Sequence, residues 1–129
     1  MLPLRINELS FQHLVLKSDI PFFLVFGADW NIDSLALYED INKYCEKVDG
    51  LIRFGIVDYD YLPEIFCDYK IMEIPTIMII EDGKEFARKE KYGGCIDIET
   101  MLYKFFGYLP FTPEFINQKR KTVLTNRYF

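Results

Sequence analysis

Two kinds of apolar patterning alternate along this chain, and the alternation limits the folds open to it. Residues 21–26 (Pro-Phe-Phe-Leu-Val-Phe) form an unbroken apolar run, and residues 51–60 and 74–80 carry further dense apolar stretches. Runs of this length suit strands buried on both faces. Between them the spacing changes to that of helices. Phe11, Leu14 and Val15 predict one helical face over residues 8–17, with Asn7 as N-cap and Asp19 and Pro21 as stops. Leu37, Ile41, Tyr44 and Val48 predict a second helix over residues 33–47, closed by Asp49-Gly50. Leu62-Pro63-Glu64 opens a short third helix with Ile65, Phe66 and Tyr69 as its buried stripe, because proline is tolerated in a first helical turn. Residues 4–6 fit a short first strand. Residues 85–92 return from the turn at 81–84 as a hairpin partner of the strand at 74–80. After Gly93-Gly94, Asp97 is placed to cap a last helix carrying Ile98, Met101, Leu102 and Phe105, ended by Gly107. The order β-α-β-α-β-α-β-β-α predicts an α/β fold, a mixed sheet with helices on both faces.

The 129 residues fit one domain. Half are apolar, enough for a layered core and too many for a disordered chain. The net charge of −5 is unevenly spread. Residues 1–107 hold 11 basic and 19 acidic side chains, whereas residues 108–129 hold Lys119, Arg120, Lys121 and Arg127 against Glu114. An acidic body repels phosphate backbones, so direct nucleic-acid binding is not expected of it. The chain therefore divides into a body over 1–107 and a basic, aromatic extension over 108–129. The extension either covers the body, reaches a partner or is simply solvated. No stretch approaches about 20 apolar residues, so no membrane span is expected, and the first residues do not read as a signal peptide. Cys45, Cys67 and Cys95 lie 22 and 28 residues apart with a single histidine, His13. That spacing makes no zinc set, no cofactor is expected, and an odd count suits a reducing, cytoplasmic setting.

Several local runs, in order, resemble the thioredoxin family. Phe26-Gly-Ala-Asp-Trp30 is similar to the run that precedes the family's redox cysteines, and Val57-Asp-Tyr-Asp60 to the end of its third strand. Ile74-Pro75-Thr76 is similar to its cis-proline turn and Asp82-Gly83-Lys84 to its hairpin. The resemblance spans roughly residues 6–107 and implies a thioredoxin fold.

The departures bear on function. Where the family has Trp-Cys-Gly-Pro-Cys, this chain reads Trp30-Asn31-Ile32-Asp33-Ser34. Disulfide exchange needs an attacking thiolate and a second thiol to resolve the mixed disulfide, and Asn31 and Ser34 supply neither. The family's buried aspartate beneath the cysteines matches Val25, and a nearby lysine matches Ile56. Asn31, Asp33 and Ser34 are all types that can cap a helix start. The expectation is a protein without catalytic residues or redox activity that binds a protein or an extended peptide. The resemblance implies binding through Trp30, Ile74, Pro75 and Gly93, the last in a glycine loop, with Gly27 in place of a bulky residue widening the groove. Trp30 and Pro75 are equally compatible with a purely structural role.

Other readings stay open. Dim1-like spliceosomal proteins also lack a working redox pair and resemble this chain at Met1-Leu-Pro-Leu4, at residues 26–30 and in a basic C-terminal extension, which would imply a nuclear setting. Weak monothiol oxidoreductase activity through Cys95, two residues past Gly93, is the enzyme alternative; packing at the entry of the last helix is the plainer one. Cys45 and Cys67 read as packing and His13 as a surface residue. The sequence leaves the oligomeric state open.

Overall fold

Strand β2 (Phe22–Gly27) is buried along its whole length because both of its faces are covered. The computed structural model describes residues 3–111, and β2 lies at the centre of its five-stranded sheet, in the order β1-β3-β2-β4-β5. Strands β1 (Leu4–Arg5) and β3 (Arg53–Asp58) run parallel to each other, and β3 runs parallel to β2. Strands β4 (Thr76–Glu81) and β5 (Lys84–Glu90) add antiparallel pairings on the other side. The predicted mixed sheet is present.

Side chains alternate across a strand, so β2 splits its residues between two cores. Phe23 and Val25 join Phe54, Ile56, Ile77 and Ile79 against α2 (Ile32–Cys45) and α4 (Cys95–Phe106). Phe22, Leu24 and Phe26 join Val57, Met78 and Ile80 against the first helical segment and α3 (Pro63–Asp68). The unbroken apolar run of β2 is thus two half-patterns interleaved.

The first helical segment departs from the continuous helix expected over residues 8–17. Helix α1 (Glu8–Ser10) opens on a capping box: Asn7 Oδ1 accepts from Ser10 N at 2.8 Å and Ser10 Oγ accepts from Asn7 N at 2.8 Å. The chain then widens into a π-helix over Phe11–Val15. Phe11 and Val15 are both buried, and Phe11 meets the edge of Tyr69 at 5.6 Å. Apolar spacing cannot tell this wider turn from an α-helix.

Helix α4 starts three residues earlier than an N-cap at Asp97 would place it. Its N-cap is Gly94, and Asp97 Oδ2 instead accepts from the Gly93 N–H at 2.5 Å. Gly107 ends α4 in the left-handed region, φ 81°, where its N–H donates to Tyr103 O at 2.7 Å. Glycine takes that conformation without the clash a Cβ would bring. Cys67 is exposed on α3, against the expectation of packing, because Ile65 and Phe66 take the buried stripe. His13 is exposed as expected. The extension falls, from residue 112 on, outside the described residues. Of its described residues, Leu109 and Phe111 pack on the α2–α4 core.

Candidate functional site

Strand register brings four loops to one end of the sheet. Phe26 pairs with Thr76, Gly27 with Asp58, and Thr76 with Glu90. The segments around residues 28–31, 59–62, 72–75 and 91–94 therefore leave the sheet side by side. Trp30, Asn31, Ile74, Pro75 and Gly93, scattered in sequence, share this end, and the Ile74–Pro75 peptide is cis.

Asn31 caps α2. Its Oδ1 accepts from Ser34 N at 2.8 Å and from Ser34 Oγ at 2.9 Å. Ser34 is fully buried, and its Oγ accepts from Ala28 N at 3.2 Å. Capping therefore falls to Asn31 alone; Ser34 ties the loop to the helix, and Asp33 is exposed in the first turn, where a negative charge suits the helix dipole. Val25 and Ile56 face each other across β2 and β3, buried and apolar.

Trp30 is 62% exposed, and its indole N–H donates to Asp60 Oδ1 at 3.3 Å. Asp60 N in turn donates to Asp58 Oδ1 at 2.8 Å. Ile32 at the start of α2, and Tyr61 and Met72 on these loops, are also strongly exposed. Pro75 is buried and Ile74 half-buried. The Gly93 N–H, a backbone donor that the resemblance assigns to peptide binding, is already taken by Asp97.

Gly27 does not widen a groove. A Cβ placed there would lie 2.5 Å from Tyr38 Oη and 2.8 Å from Ser34 Oγ, so Tyr38 fills the space. The Tyr38 hydroxyl is buried without a hydrogen bond among the described residues. Burial, aided by the Asp58 carboxylate, raises its pKa well above the usual tyrosine value. The Arg5 guanidinium stacks 5.1 Å from the Tyr38 ring and reaches Asp29 Oδ1 at 3.1 Å. Tyr38 lies on the buried face of α2 beside Leu37 and Ile41, where periodicity reads it as core packing, and Arg5 sits on a two-residue strand too short to show a pattern.

Cys95 enters α4 half-buried, its Sγ 3.9 Å from Lys43 Nζ, beside the core formed by α2 and α4. Nearby, Tyr44 donates to Glu99 Oε2 and Tyr92 to Asp40 Oδ2, each at 2.5 Å. Cys45 is buried, and burial pushes its thiol up to about 11. All three cysteines are free, and no group of three or more His, Cys, Asp or Glu among the described residues could hold a metal ion.

Residues 3–105 match the thioredoxin family model. The chain belongs to the thioredoxin family. A thioredoxin of Rickettsia bellii is 30% identical over 81 residues, 63% of this chain and 77% of that protein. The chloroplastic M-type thioredoxin of Spinacia oleracea is 27% identical over 104 residues, 81% of this chain and 56% of that protein. Among solved structures, chloroplastic thioredoxin z superposes with a TM-score of 0.72 at 20% identity, covering 84% of this chain and 97% of that one. That likeness supports the thioredoxin fold. No helix among the described residues is long and apolar enough to cross a membrane.

Proposed function

We propose that this thioredoxin-family domain is a protein-binding module without dithiol redox activity, and that Trp30, Ile74 and Pro75 form its contact surface. The observation that carries the reading is the start of α2, where the family's two cysteine positions are an N-cap amide and a buried hydroxyl bonded to each other. Neither atom can attack or resolve a disulfide. The exposed Trp30 ring, held by Asp60, supplies a rigid aromatic anchor of the kind that dominates binding surfaces. Gly93 contributes shape only, since its N–H is occupied. The free thiols suit a reducing compartment such as the cytoplasm. The Dim1-like reading would add a ribonucleoprotein setting to the same binding role, and nothing in the geometry favours it over an ordinary thioredoxin relative.

The monothiol reading rests on one observation, the Lys43 ammonium beside Cys95 Sγ. Insulin reduction driven by dithiothreitol separates the two. The binding reading expects no acceleration over dithiothreitol alone; acceleration that disappears in Cys95→Ser would establish the other. Peptides selected on the wild-type chain should bind Trp30→Ala roughly tenfold or more weakly while the variant stays folded, as expected for an aromatic anchor. Unchanged binding to Trp30→Ala would remove this surface as the site.

A further inference from the structure

Beside Trp30 a cleft of about 640 Å³ opens at the carboxyl ends of β1 and β3. Its charged lining is Glu8, Asp29 and Asp58 against Arg5, an excess of two negative charges. Asp58 is 96% buried (4% exposed), and its Oδ2 accepts no hydrogen bond among the described residues. Arg5 Nη1 stands 3.8 Å from that oxygen, outside hydrogen-bonding range. The guanidinium is committed elsewhere, to Asp29 Oδ1 at 3.1 Å and to the face of Tyr38. A buried carboxylate oxygen without a donor is costly and calls for one.

We propose that this cleft binds a primary ammonium group, supplied by a lysine side chain of the protein segment that lies over Trp30. The site rests on the binding reading above only for the source of the lysine. A neutral donor would satisfy Asp58 Oδ2 but leave the excess negative charge. A divalent metal lacks a ligand set there. A compact ammonium carries three rotatable donors, so it can turn one toward the recessed Asp58 Oδ2, which the planar fork of Arg5, held on Asp29, leaves at 3.8 Å. The chain from Trp30 Nε1 through Asp60 to Asp58 ties the cleft to the aromatic anchor. Arg5 competes for the same carboxylates, so it tunes the site downward.

The test is an NMR titration of the 15N-labelled full chain with n-butylammonium chloride at low ionic strength, with n-butanol and n-butylguanidinium as controls. Saturable shifts are expected at the amides of Asp29, Asp58, Asp60 and Tyr61. Binding should weaken roughly tenfold or more in Asp58→Asn, which keeps an oxygen for the Asp60 N–H. It should tighten severalfold in Arg5→Gln, an outcome that a merely structural role for Arg5 does not predict. If Arg5→Gln proves unfolded, Asp29→Asn takes its place, with weaker binding expected. The proposal is overturned by a response equal to that of butanol or butylguanidinium, or by wild-type affinity in Asp58→Asn. A groove-binding peptide that holds Asp58→Asn as tightly as wild type would remove the lysine while leaving the groove standing.

Discussion

Gly27 and Tyr38 should behave as one unit. In Gly27→Ala the new Cβ would stand 2.5 Å from Tyr38 Oη and 2.8 Å from Ser34 Oγ, well inside the ~3.5–4.0 Å of comfortable heavy-atom contact. Both neighbours are buried, so neither can swing into solvent. Overpacking of this kind costs about 1–3 kcal/mol. For a body of this size that is a fall in Tm of about 3–6 °C per kcal/mol. Tyr38→Phe alone should be close to neutral, within about 1 kcal/mol, because the hydroxyl it deletes makes no hydrogen bond among the described residues. Combined, the second change removes the worst contact of the first. The double variant should then recover about 1 kcal/mol or more relative to the sum of the single changes, well beyond the ~0.5 kcal/mol scatter of independent sites. Urea denaturation of the four proteins gives the cycle directly. Additive losses would show that Tyr38 is not what occupies the space, and a large loss in Tyr38→Phe alone would show that its hydroxyl is bonded.

Three further outcomes follow from the same geometry. Burial raises the pKa values of Tyr38, Tyr44 and Tyr92, and Tyr44 and Tyr92 are further raised by hydrogen bonds to Glu99 and Asp40. The unfolded chain loses these protons near pH 10 and the native one does not, so their contribution is complete below pH 10. It should fall above pH 10 by up to about 1.4 kcal/mol per pH unit for each tyrosine, read by urea melts between pH 9 and 11; flat stability there would contradict the burial. Iodoacetamide at pH 8 should label exposed Cys67 first and buried Cys45 last, by mass spectrometry of timed samples, and early labelling of Cys45 would refute its packing. Arg88→Met should cost about 1–2 kcal/mol, since Arg88 Nη2 donates to Tyr69 O at 2.8 Å at the end of α3 while Nε and Nη2 hold Glu85 at 2.7 Å; an unchanged thermal midpoint would make that clamp idle.

Much of the architecture was legible because its cause is periodic. The run at residues 21–26 had to be a strand covered twice, and the burial of all of β2 follows from that. The hairpin was readable from Asp82-Gly83, both of which take positive φ. The π turn at Phe11–Val15 was not, since its apolar spacing also fits an α-helix. The helix start at Asn31 was readable from a capping residue type. Its neighbour Ser34 was misjudged because a buried serine and a capping serine look alike until the fold says which way the hydroxyl points. Gly27 was misread for a related reason: a missing side chain signals space, and only the three-dimensional neighbour tells whether the space is empty. The cleft drew no notice, because Arg5, Asp29 and Asp58 lie on three different segments and meet only through strand register.

The Gly27–Tyr38 exchange also limits which sequences lie one step away. With the tyrosine hydroxyl lodged where a residue 27 side chain would begin, no bulky side chain can enter position 27 until Tyr38 changes first, and Ser34 sits against the same wall. Cysteines at 31 and 34 alone would therefore arrive in surroundings already rebuilt around their absence. The order of substitutions is constrained, and the interlock acts as a ratchet on this end of the sheet.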